Sequence, residues 1–171
     1  SGDTYDYVVA QLRGAVRRAC GLHENVLKNS GVLSAVQLET LQGYLDRTAT
    51  EDDLTQFLDI MTDWLFKATK RQTVILLDEY DVPLQKAAIY DIHHPGSDLF
   101  DKTVGLMGRF ISAGFKSNSN LAYGIIAGCM RVAKESIFTG MNNPGVITVT
   151  SRIPDEFWGF TETEVKNMLS Y

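Results

Sequence analysis

The sequence predicts an α/β fold, a parallel sheet flanked by helices, on three observations. Thr73 to Leu77 reads TVILL, a run with no polar alternation, which is the pattern of a strand covered on both faces. Leu121 to Ala127, LAYGIIA, reads as a second buried strand. Long stretches of helical periodicity separate the strands, as parallel crossovers require.

The elements follow in order. Val8, Leu12, Val16 and Ala19 recur on one helix face, and Gly21 is a plausible stop. Residues 32–46 predict a second, weaker helix through Leu33, Val36, Leu41 and Leu45. Thr50 and Asp53 form a T-x-x-D start close to a capping box. Leu54, Phe57, Leu58, Met61, Leu65 and Ala68 then continue at helical spacing. Lys67, Lys70 and Arg71 near that helix's end complement its dipole. After the first strand, residues 91–98 read as a loop. Ser97 caps a helix carrying Phe100, Val104, Met107 and Ile111. Val146 to Val149 predicts a short third strand. Thr161 and Glu164 form another capping box, opening a last helix.

Bulk properties bound the function. A chain of 171 residues is within the range of one domain and can bury a real core. With 44% hydrophobic and 22% charged residues it is neither disordered nor fibrous. No run approaches ~18 consecutive apolar residues, so no membrane span is expected. The net charge of -5 implies no broad basic surface for nucleic acid, which could enter only through other domains. Arg13, Arg17 and Arg18 make a local basic cluster, read as a solvated helix face. Cys20 and Cys129 lie far apart, which fits a reduced setting, cytoplasmic or otherwise intracellular. His93 and His94 are adjacent and have no matching metal-ligand spacing elsewhere.

The stretch VILLDEYD carries the chemistry. It reads as a Walker B strand, a buried strand ending in two carboxylates. Asp78 would hold Mg2+, usually through water, and Glu79 would orient or deprotonate the attacking water. Phosphoryl transfer needs positioning and charge neutralisation more than covalent help. The C-terminal end of a parallel strand is where open α/β sheets bind ligands. The plain alternative is a strand that leaves the core through acidic residues.

The surrounding residues sharpen the reading. The run Leu77-Asp78-Glu79-Tyr80-Asp81-Val82-Pro83-Leu84 resembles the AAA-ATPase-like family of P-loop NTPases, relatives of the STAND and AAA ATPases. A second block matches from Gly128 through Arg131, Lys134 and Ser136-Ile137-Phe138 to Asn142-Asn143. A third is Gly159-Phe160-Thr161-Glu162-Thr163-Glu164-Val165. The resemblance implies a partial P-loop NTPase domain over 1–171, with a helical N-terminal third (1–72) and a Walker B to sensor region (73–171). It implies ATP and Mg2+ as cofactors and ATP hydrolysis as the activity. Arg131 would face the γ-phosphate, and Lys134 would help to bind nucleotide. Arg131 pairing with Asp78 or Glu79 is the structural alternative. Asn142 and Asn143, followed by Pro144-Gly145, are already explained as a turn.

One motif of that family is absent from these 171 residues: there is no G-x-x-x-x-G-K-S/T. Gly114-Phe115-Lys116-Ser117 imitates it with the wrong spacing, after a helix. The expectation is that the phosphate loop and its strand lie upstream, and that these residues alone bind MgATP very weakly or not at all. The sheet would then have a gap, to be completed by the missing N-terminal segment or another chain. Two rivals remain. Pro154-Asp155 with Glu164-Val165-Lys166 spells a nuclease signature, but its second half falls in the first turn of a capped helix. The chain could instead be a degenerate, non-catalytic module that regulates or binds proteins.

Overall fold

The computed structural model describes residues 4–129, 137–138, 145, 147–148 and 159–170. Two compact units divide the chain, residues 1–141 and 142–171. Helix α1 (Tyr5–Asn29) buries Val9, Leu12, Val16, Cys20 and Leu27. It runs two turns past Gly21, the expected stop. A glycine inside a helix costs about 1 kcal/mol relative to alanine. Burial of a leucine contributes about 1.5–3 kcal/mol, and Leu27 is fully buried. Packing therefore overrides the local signal.

Helix α2 (Ala35–Asp46) starts at a capping box that sequence reading missed. Gln37 N–H donates to Ser34 Oγ, and Ser34 N–H donates to Gln37 Oε1. Its buried residues are Leu41 and Tyr44, while Val36, expected on the inner face, is exposed. Tyr44 Oη donates to Asp53 O at 3.0 Å, tying α2 to the next helix. Helix α3 (Glu51–Thr69) has the expected Thr50–Asp53 box, with both halves formed. Leu54, Phe57, Leu58, Met61, Trp64 and Leu65 form its buried face. Two of the three arginines expected on a solvated face have partners. Arg13 Nε donates to Ala49 O at 2.9 Å, and Arg17 Nε to Leu45 O at 3.0 Å, clamping α1 onto the α2–α3 connection.

Strand β1 (Thr73–Leu77) pairs in parallel with β2 (Leu121–Ile126), from Thr73 opposite Leu121 to Leu77 opposite Ile126. Between them run α4 (Val82–His93) and α5 (Leu99–Phe115). Helix α4 takes the first residues of the expected 91–98 loop. Asp91, near its end, accepts from the N–H groups of Leu99 and Phe100, so it caps α5 together with Ser97. Helix α5 buries Leu99, Thr103, Leu106, Met107, Phe110 and Ile111, with Phe100 and Val104 at the edge of that stripe.

The sheet departs from the expectation of two covered faces. Ile75 is buried, and Gly114 of α5 approaches both it and Leu58 of α3 closely. On the opposite face Val74 pairs with Tyr123 and Leu76 with Ile125, and these four are 51–73% exposed. The sequence run is apolar enough for two layers, but among the described residues only one is supplied. Both ends of the expected strand at Val146 to Val149 lie outside the described residues. In the second unit, helix α6 (Glu162–Leu169) begins at the expected Thr161–Glu164 box and buries no residue.

Candidate functional site

The end of β1 is built by a short, specific turn. Ala127 N–H donates to Leu77 O at 2.8 Å, and Tyr80 N–H donates to Ala127 O at 3.3 Å. The two strands thus stay linked beyond the sheet. Asp78 is exposed, and its Oδ1 accepts from Glu79 N–H at 2.9 Å. Glu79 is also exposed and has φ of 53°, a left-handed conformation that non-glycine residues rarely hold. Val82 N–H donates to Glu79 O at 3.1 Å, which feeds the chain into α4. Tyr80 and Asp81 turn inward and are buried. Asp81 is the N-cap residue of α4, its Oδ2 accepts from Gln85 Nε2, and Pro83 sits in the helix's first turn. The Asp-Glu-Tyr-Asp order is therefore two side chains out and two in.

The second sequence block meets the first at Tyr80. A Cβ on Gly128 would lie 2.6 Å from Asp81 Oδ1 and 2.7 Å from Tyr80 Cε1, so only glycine fits without displacement. Phe138 packs edge-on against the Tyr80 ring, with centroids 5.5 Å apart. Arg131, Lys134, Asn142 and Asn143 lie outside the described residues.

Asp78 and Glu79 border a cavity of about 320 Å³ between α1, the β1 end, α4 and α5. Its walls are largely apolar, including Leu12, Leu77, Pro83 and Phe110, and it also carries Arg18 of α1 and Lys86 of α4. Sequence reading singled out neither cation for this place. Lys86 stands in no motif, and Arg18 is brought there only by the docking of α1. Such a cavity can take a ligand with an apolar part and negative charge.

A metal is testable against the donor set. Among the described residues no group of three or more His, Cys, Asp or Glu side chains is placed to hold one. The described residues alone therefore build no all-protein cage. This fits Mg2+, which commonly takes one or two carboxylates and fills its shell with water and phosphate oxygens. His94 is accounted for otherwise: its ring stacks on Tyr90 at 3.9 Å and its Nδ1 lies 2.9 Å from Tyr90 O. The phosphate-loop imitation is a helix end. Gly114 and Phe115 belong to α5, and Ser117 turns the chain with φ of 54°. The second half of the nuclease-like signature is also consumed locally. Glu164 accepts from Thr161 N–H at 2.7 Å within the α6 cap.

A parallel strand whose C-terminal end carries two exposed carboxylates beside a cavity defines the class: an α/β protein with a candidate site at the strand ends. The family follows from comparison. The family model described as predicted AAA-ATPase, AAA-ATPase-like, matches residues 10–138. The chain belongs to the AAA-ATPase-like family. That match runs from Ala10, within α1, to Phe138 and stops before the third sequence block. Comparison with curated proteins and with solved structures returns no match.

Proposed function

We propose that this chain carries the Walker B and sensor parts of an ATP-hydrolysing, AAA/STAND-like NTPase. The observation that carries the reading is the placement of Asp78 and Glu79 together on one cavity at the C-terminal end of a parallel strand. Asp78 is the magnesium-side carboxylate. Its Oδ1 is engaged by Glu79 N–H, and it can offer Oδ2 to metal-bound water. Bound Mg2+ would supply charge neutralisation on the phosphates. Glu79 orients the attacking water and accepts its proton, a role served by an exposed carboxylate held by its backbone. Arg131, three residues after Gly128, stabilises charge developing on the transferred phosphoryl group, and Lys134 adds to nucleotide binding. Arg18 and Lys86 supply further positive charge at the cavity.

These residues contain no phosphate loop, so the backbone cradle and its lysine must come from outside them. The open face of the sheet supports the same view, because an upstream segment or another chain would cover it. Hydrolysis by the full-length protein carrying these residues tests the reading, wild type against Glu79→Gln, with residues 1–171 as a third sample. Turnover should fall by about 10²–10⁴-fold in the variant while MgATP binding is kept, and residues 1–171 should be inert. A full-length protein that neither binds nor hydrolyses ATP sinks the proposal. The regulatory or protein-binding module then becomes the better reading.

A further inference from the structure

We propose that the chain has a second ligand site, for a compact phosphate anion, where α1 crosses the α2–α3 connection. Four arginines stand on these elements. Arg13 and Arg17 stand one turn apart on α1, and their Nε atoms are spent on Ala49 O and Leu45 O. Those bonds fix each guanidinium and leave its Nη groups to donate elsewhere. Arg47 lies between the two acceptors in sequence. Its Nη2 comes within 4.0 Å of where a Cβ on Gly14 would be, and Arg18 Nη1 within 3.6 Å. Arginines from two elements thus converge over a helix surface that has no side chain of its own.

Charge makes this placement specific. Arginine stays protonated in proteins, so the four carry four positive charges in a chain of net charge -5. Among the described residues five ion pairs form, and none uses Arg13, Arg17, Arg18 or Arg47. The C-terminal dipole of α2 offsets only about half a charge. Arg47 also holds φ of 63°, where glycine is the usual residue. A di- or triphosphate group would relieve the mutual repulsion and accept the outward N–H groups in paired hydrogen bonds. Arg18 also lines the cavity beside Asp78 and Glu79, but Arg13, Arg17 and Arg47 do not, so the proposal rests on those three and stands or falls independently of ATP hydrolysis.

The test is calorimetric titration of the protein with inorganic pyrophosphate, for wild type, Arg47→Gly and Arg17→Gln. Arg47→Gly removes a charge and relieves the left-handed backbone, so it should fold at least as well as wild type, and a melting curve checks this. Each variant should bind about three- to tenfold more weakly. Binding should also weaken as NaCl rises from about 50 to about 500 mM. Asp78→Asn should leave pyrophosphate affinity within about twofold, since Arg13, Arg17 and Arg47 lie outside the cavity that Asp78 borders. The inference is overturned if pyrophosphate does not bind, or if Arg47→Gly and Arg17→Gln bind it as well as wild type does. It is equally overturned if a single-stranded oligonucleotide binds through these arginines while pyrophosphate does not.

Discussion

Replacing Gly128 by alanine adds one methyl group to the packing that joins the ends of the two strands. That methyl would sit 2.6 Å from Asp81 Oδ1 and 2.7 Å from Tyr80 Cε1. Carbon contacts settle near 3.5–4.0 Å, so about 1 Å of movement is needed. Neither neighbour has room to give it: Asp81 is 1% exposed and Tyr80 9%. Overpacking of this kind costs about 1–3 kcal/mol. Gly128 has no left-handed φ, so alanine suits the backbone and recovers about 0.4–1 kcal/mol from the unfolded chain. The net expectation is a loss of about 1–2 kcal/mol. With a urea slope of about 1–3 kcal/mol per M, the unfolding midpoint should drop by roughly 0.5–1 M. A double-mutant cycle isolates the cause. In a Tyr80→Ala background the same change should cost about 1 kcal/mol less, because one of its two obstructions is gone. A Gly128→Ala midpoint at or above wild type would refute the reasoning, as would an equal cost with and without Tyr80.

Three further outcomes are expected. Glu79→Asn should raise the urea midpoint by a gain of about 0.5–1 kcal/mol, because asparagine tolerates the left-handed backbone that glutamate holds at a cost, and an unchanged midpoint would remove the strain argument. Hydrogen bonds from the Ser97 side chain and the Phe100 N–H hold the Asp91 carboxyl below its usual range, so its contribution is full above a pH of about 3.9 and is lost as pH falls through the lower, folded value; the stability gap between wild type and Asp91→Asn should therefore close only in acid, and a gap that is constant with pH would count against it. Burial pushes the Cys20 thiol up to about 12, whereas Cys129 is exposed; an alkylating reagent should modify one thiol in the folded protein and both in urea, with mass mapping to show which.

Much of the framework was legible because it is local. The Thr50–Asp53 and Thr161–Glu164 boxes and the TVILL strand are written in residues that lie within a few positions of one another. The parallel pairing was legible too, since long helical stretches between two apolar runs permit little else. What stayed hidden depends on distant partners. Gly21 reads as a stop until Leu27 finds its place in the core. The basic cluster on α1 reads as solvated until Leu45 O and Ala49 O arrive from another element. Arg18 and Lys86 reach the cavity only through docking of α1 and α4. The carboxylate pair stood out because acidic residues at the tip of an apolar strand break a pattern. The glycine behind it did not, since a glycine's reason lies in what approaches it.

The pairing of Thr73 with Leu121 also bears on how the chain folds. These strands cannot zip together like a hairpin, because all of α4 and α5 lies between them. Closing so wide a loop has an entropic cost that must be met before any strand contact forms. Helices α1 to α3 can begin from their own caps, and α5 must dock on α3 before β2 is delivered to its neighbour. The turn at Asp78 and Glu79 is pinned by bonds to Ala127, at the far end of that sequence. It should therefore be among the last parts to become ordered during refolding and, in the native protein, among the first to open to hydrogen exchange.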